Sequence, residues 1–229
     1  MKKSLVLIVL IVLALSIPAY SYRPLTTDDT ATVSKDKWSL ETGLESDTDR
    51  ASNTTNSLNI DLTYGYSENM DLKVSSSIQS AAGSSGVGST AFQAKYRFTE
   101  EDGNMPSLGL EGSIAFPAYT GGNSTISTTG LYTKTLDTYV YHLNLGLSGN
   151  GDYTSVNYGG AFDVVFHPEA GINITMELVG GSTNSGATLA GHLGTKWTVN
   201  EDLTVDGGMS VGLNDNTSSD IKAGLTTTF

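Results

Sequence analysis

Cysteine is absent from the 229 residues, which excludes a disulfide framework and any thiolate metal site. Basic residues are scarce: 12 Lys and Arg stand against 24 Asp and Glu, a net charge of −12. Such a balance makes nucleic acid and anionic lipid poor partners. Hydrophobic residues reach only 38% and prolines number 5. Beyond the opening residues no apolar run approaches the roughly 18 residues a membrane-crossing helix requires, so helical spans are excluded there.

What is abundant is glycine, at 26 residues, together with Ser, Thr and Asn. The opening MKKSLVLIVLIVLALSIPAYSY carries Lys2 and Lys3, an apolar stretch from Leu5 to Ile17, and the small-x-small Ala19-Tyr20-Ser21. These are the parts of a secretory signal peptide over residues 1–21, cut before Tyr22. Losing Lys2 and Lys3 leaves 10 basic and 24 acidic residues, so the mature net charge is 10 − 24 = −14. Residues 22–35, YRPLTTDDTATVSK, show no period and read as an irregular periplasmic segment ahead of the folded domain at 36–229, one that with Arg23, Asp28 and Asp29 could also occupy the periplasmic mouth of that domain.

From there the chain alternates. In the last stretch, Ile221, Ala223, Leu225, Thr227 and Phe229 alternate with Asp220, Lys222, Gly224, Thr226 and Thr228. Period two means an extended strand with one apolar and one polar face. Twelve such segments occur: 37–46, 56–66, 71–80, 90–99, 107–117, 127–136, 139–148, 154–166, 171–181, 186–198, 203–213 and 219–229. The sixth is the weakest, with Leu131, Thr133 and Thr135 set against Tyr132 and Lys134. Short turns alternate with Gly- and Ser-rich connections, and aromatics such as Trp38, Tyr66, Phe98, Phe166, Trp197 and Phe229 gather at the short-turn ends.

An even number of strands, short turns on one side, and an aromatic girdle predict an all-β fold: a transmembrane antiparallel up-and-down β-barrel of 12 strands with longer outer loops. A secreted β-sandwich also alternates, but it does not predict a girdle at one set of turns. A closed barrel pairs its last strand with its first, which removes both sheet edges. The expected setting is the outer membrane, with lipid and lipopolysaccharide around the apolar face. The strand ending at Phe229 would be presented to the barrel-assembly machinery.

Charge gives the sharper test, because a Lys or Arg on the lipid face at mid-membrane costs about 2–4 kcal/mol. Every strand charge is expected on the polar, inward face, and the pore-lining candidates are Glu41, Asp61, Lys73, Lys95, Arg97, Glu111, Lys134, His142, Asp163, Glu177, His192, Lys196 and Lys222. Glu45, Asp206 and Asp220 share that face; Val140, Val165 and Val179 are its apolar misfits. Such a lining is either a water-filled path or an ion-paired filling that closes the interior.

Catalytic chemistry finds little to work with. His142, Asn144 and Ser148 form a faint lipase-like grouping whose simpler reading is a polar lumen wall, and His142, His167 and His192 are too dispersed for a metal site. Gly83, Gly86 and Gly88 imitate a phosphate loop but lie between strands. Asp47, Asp49, Asp215 and Asp220 could hold Ca²⁺ near a lipopolysaccharide surface, but they form no complete Ca²⁺ loop motif. No cofactor, metal or catalytic residue is expected.

Five ordered stretches, RPLTTDDTATVSKDKWSLETG (23–43), AKYRF (94–98), SLGLEGSIAFPAYTG (107–121), YHLNLGLSGN (141–150) and MELVGGST (176–183), resemble the bacterial outer-membrane transporter-like family of the phenol-degradation "MetA-pathway" type. The resemblance spans nearly the whole mature chain and departs from the family pattern at Pro117-Ala118-Tyr119. It implies an outer-membrane barrel associated with uptake of aromatic compounds, and it carries no catalytic residues. The function expected is passive uptake of small solutes, aromatic or otherwise apolar. The alternatives are a closed structural or surface-interaction barrel and, less favoured, a lipid-modifying enzyme.

Overall fold

The computed structural model describes residues 24–81, 84–118, 122–152, 154–183 and 186–229; the expected signal peptide lies outside them. The strands are β1 (Trp38–Thr48), β2 (Thr54–Ser67), β3 (Met70–Ala81), β4 (Ser84–Val87), β5 (Thr90–Thr99), β6 (Ser107–Phe116), β7 (Thr125–Leu136), β8 (Tyr139–Gly149), β9 (Thr154–His167), β10 (Ile172–Thr183), β11 (Gly186–Asn200), β12 (Leu203–Gly212) and β13 (Ser219–Thr228). Each long strand pairs antiparallel with the next, and β13 pairs with β1 from Ser39↔Thr228 to Thr48↔Ser219. Trp38 N donates to the Phe229 carbonyl (2.9 Å) and Phe229 N to the Trp38 carbonyl (2.8 Å). The ring is closed by twelve strands. The additional β4 pairs only with the outer end of β3, from Ile78↔Val87 to Ala81↔Ser84, within a stretch the sequence marks as loop.

The two faces are inverted relative to a water-soluble fold. Among the described residues the buried apolar side chains are Leu25, Leu131, Ala161 and Ala190, whereas Thr175 and Thr226 are fully buried and Asp, Glu and Lys side chains are buried beside them. Leu44, Leu145 and Ile221 are 64–65% exposed. An outward apolar surface on every strand is covered by acyl chains in a membrane and by nothing in water. Trp38 stacks obliquely on Tyr64 at 4.8 Å and Tyr96 meets Phe98 edge-on at 5.2 Å on the short-turn side.

One strand departs from its expected facing. Leu131 and Thr133 of β7 point inward, with Leu131 buried and Thr133 opposite His142. Lys134 lies opposite Tyr141 and therefore on the outward face, with only two pairs, Thr135↔Val140 and Leu136↔Tyr139, between it and the Asp137–Thr138 turn. There Lys134 Nζ donates to Glu101 Oε1 at 2.7 Å, which holds the Glu101 carboxyl below its ordinary range. Near the interface an outward cation costs only about 0–1 kcal/mol. Lys134 is thus removed from the pore-lining candidates.

Candidate functional site: a luminal segment and the wall that holds it

Residues 24–33 do not lie ahead of the barrel; they run inside it. The segment forms no strand, so its amides have no ladder partners, and buried amides demand partners elsewhere. The wall supplies them as side chains. The amides of Thr26 and Thr27 donate to the Glu177 carboxylate of β10, that of Thr26 at 3.0 and 2.9 Å to its two oxygens. Asp28 and Asn144 exchange two bonds: Asp28 N to Asn144 Oδ1 (2.7 Å) and Asn144 Nδ2 to the Asp28 carbonyl (2.9 Å). Thr30 N donates to Thr133 Oγ1 (3.1 Å) and Val33 N to Asp71 Oδ2 (3.3 Å). Within the segment, Asp29 N donates to Asp28 Oδ1 and Ala31 N to Asp29 Oδ1, both at 2.8 Å.

Charge fixes the middle of the segment. Lys95 Nζ lies 3.2 Å from Asp28 Oδ1, 3.8 Å from Asp29 Oδ1 and 3.4 Å from the Asp29 carbonyl. Lys95 and Asp28 are almost wholly buried, a setting in which removing one member strands the other charge. Shape fixes the rest. A Cβ on Gly194 would collide with the Pro24 ring, one on Gly159 would come 2.5 Å from Thr27 Oγ1, and one on Gly65 would strike the Ser34 carbonyl. These glycines are notches, and the segment occupies them.

The remaining predicted wall residues sort by height. Glu41 and Asp61 face each other across β1 and β2, and Lys73 is buried on the same inward face of β3. Glu111 is opposite Lys95. Lys196 Nζ pairs with Asp163 Oδ2 at 3.0 Å; Lys222 Nζ lies 3.7 Å from Asp220 Oδ1. His192 Nδ1 is 3.8 Å from Glu177 Oε2. Arg97 stands at the rim, where its guanidinium caps the β2–β3 turn through the Glu68 carbonyl and Asn69 and pairs with Glu100 at 2.8 Å. The lipase-like grouping is not assembled: His142 meets Thr133 (3.1 Å), Asn144 holds Asp28, and Ser148 meets Ser155 (2.6 Å). At the outer end, Glu45, Asp47 and Asp220 bring carboxylate oxygens within 4.8 Å of one another.

Among the described residues the inward acidic groups are Glu41, Glu45, Asp47, Asp61, Asp71, Glu111, Asp163, Glu177, Asp206 and Asp220 of the wall, with Asp28 and Asp29 of the segment. The inward lysines are Lys73, Lys95, Lys196 and Lys222. Among the described residues, two chambers lie beside the segment. One, about 310 Å³, is lined by Asp28, Glu111, Thr129, Asn144, Asn157, Val179, Thr188 and Ala190 among others. The other, about 420 Å³, is lined by Leu25, Thr26, Glu41, Glu45, Asn59, Asp61, Lys222 and the serines of β3. On the far side of the segment, a small space of about 30 Å³ lies among Ala31, Thr32, Asp71, Lys73 and Lys95.

Asp71, Thr133 and Asn144 are not among the sequence candidates as segment holders. Asp71 and Asn144 carry only their inward parity as a signal, and the alternation of β7 sets Thr133 on the opposite face.

No family model matches the chain, and no curated protein matches it in sequence. Solved structures do match in fold. An outer-membrane channel from Pseudomonas putida F1 superposes with a TM-score of 0.65 at 12% identity, covering 90% of this chain and all of the other. The KdgM porin, solved alone and in complex with disordered oligogalacturonate, gives 0.61 and 0.62 at 14% identity over 83% of this chain and 99% of the porin. The NanC porin gives 0.62 at 6% identity over 83% of this chain and 98% of its own. The likeness is one of fold: this chain forms the same kind of closed barrel as these outer-membrane porins and channels.

Proposed function

We propose that this protein is an outer-membrane channel for the passive entry of small hydrophilic solutes, its lumen narrowed by residues 24–33. The observation that carries the reading is the luminal segment itself, held at Glu177, Asn144 and Lys95 yet leaving two chambers beside it. A barrel filled by its own wall would leave no such spaces. Lipid and lipopolysaccharide cover the apolar belt, and β13, ending at the Phe229 seam, is the strand offered for assembly. The aromatic compounds implied by the family resemblance would meet Val179, Ala190, Leu189 and Tyr158 in the smaller chamber; Thr129, Asn144, Asn157 and Thr188 beside them favour solutes that also form hydrogen bonds. The KdgM porin's complex with oligogalacturonate supports solute passage in a barrel of this fold.

Single-channel recording of the refolded full mature chain in planar bilayers tests the reading. Discrete small conductance steps are expected. A folded barrel that stays electrically silent and admits no solute into vesicles would contradict it, and would favour the closed barrel whose segment is a permanent filling.

A further inference from the structure

Resting on that reading, we infer that the lumen selects small hydrophilic cations and turns anions away. Among the described residues the wall and segment present twelve inward acidic side chains against four lysines and, at the rim, Arg97. The lysines are not free to offset that excess where solute passes. Lys95 is committed to Asp28 and Asp29, Lys196 to Asp163, Lys222 stands beside Asp220, and Lys73 lies in the field of Asp28, Asp61 and Glu41. His142 and His192 add positive charge only when protonated.

The chambers show the result locally. The smaller is lined by Asp28 and Glu111, whose carboxyls share a hydrogen bond and so carry one negative charge between them, with no Lys or Arg among its lining residues. The larger sets Glu41, Glu45 and Asp61 against Lys222 alone. A narrow passage with apolar material behind its wall focuses such a field rather than dissipating it, and rings of carboxylates are how water-filled pores prefer cations. The uncharged part of the lining is amide and hydroxyl, which suits a solute carrying its own hydrogen-bonding groups beside an ammonium.

The test is the reversal potential of the refolded full mature chain under a KCl gradient, paired with vesicle swelling in ethanolammonium chloride and in sodium glycolate, probes of similar size and opposite charge on the organic ion. The expected permeability ratio of K⁺ to Cl⁻ is at least about fivefold near 0.1 M salt. It falls toward unity near 1 M, where the screening length drops from about 10 Å to about 3 Å. Ethanolammonium enters faster than glycolate, and Glu45→Gln and Asp61→Asn each lower the ratio. A ratio of one or an anion preference at 0.1 M overturns the inference while leaving the channel intact. Absence of both current and swelling overturns the channel and this inference together.

Discussion

Glu177→Ala is expected to release the luminal segment and enlarge the conductance. The Glu177 carboxylate is the acceptor for two successive amides, Thr26 and Thr27, inside the barrel. Without it both N–H groups are left buried and unpaired where they stand, at about 1–3 kcal/mol each. A loss of about 3 kcal/mol shifts the balance between held and released segment by about a hundredfold, since each 1.4 kcal/mol is tenfold. Glu177→Gln keeps an acceptor oxygen and is expected to fall between the two. The measurement is single-channel step size, with protease access to residues 24–33 as an independent readout. Unchanged steps together with a protected segment would show that Glu177 does not hold it.

The second large effect concerns the outward face. Leu145 sits in the middle of β8, is 65% exposed, and lies between Leu143 and Leu147, both also exposed. Leu145→Arg places a guanidinium where acyl chains belong. It is expected to cost about 2–4 kcal/mol of unfolding free energy in lipid vesicles. A change within about 0.5 kcal/mol, the usual size for a surface position, would place that face in water. Lys134 is the natural counterpart: an outward cation, accepted because it is near the turn and tied to Glu101.

The barrel was legible because its rule is local. Period-two alternation needs no knowledge of partners, and it located the long strands, the inward placement of Glu41, Lys95, Glu111, Asp163, Glu177 and Lys196, and the pairing of the last strand with the first. It failed where alternation carries little contrast. In β7, threonines stand on both faces, so Thr133 and Lys134 could be exchanged on paper; the pairing of Leu131 with Asn144 and of Lys134 with Tyr141 decides the facing. β4 was hidden because Ser84, Ser85 and Gly86 look like loop, and only β3 makes them a strand.

The luminal segment was the least legible element, for a different physical reason. Its lack of period correctly denies it a strand, but nothing local says where a non-strand goes. Its partners stand 151 residues away at Glu177, 116 at Asn144, 103 at Thr133 and 67 at Lys95. The notches at Gly159 and Gly194 read in sequence as two glycines among 26. Folded, they are the places where the wall gives way to Thr27 and Pro24.

That geometry also provides the most direct test. A Cβ on Gly159 lies 3.6 Å from Cβ of Thr27, within the roughly 3.5–4.5 Å that a disulfide spans, and the chain has no cysteine of its own to interfere. In Thr27→Cys/Gly159→Cys, mild oxidation of the refolded full mature chain is expected to link the segment to β9, seen as a thiol-reversible mobility shift of the unfolded chain on a gel. Single-channel conductance should be locked at its low level and respond to Glu177→Ala only after reduction. Free thiols that never join under oxidation, in a barrel that is otherwise folded, would contradict the placement of residues 24–33 within the lumen.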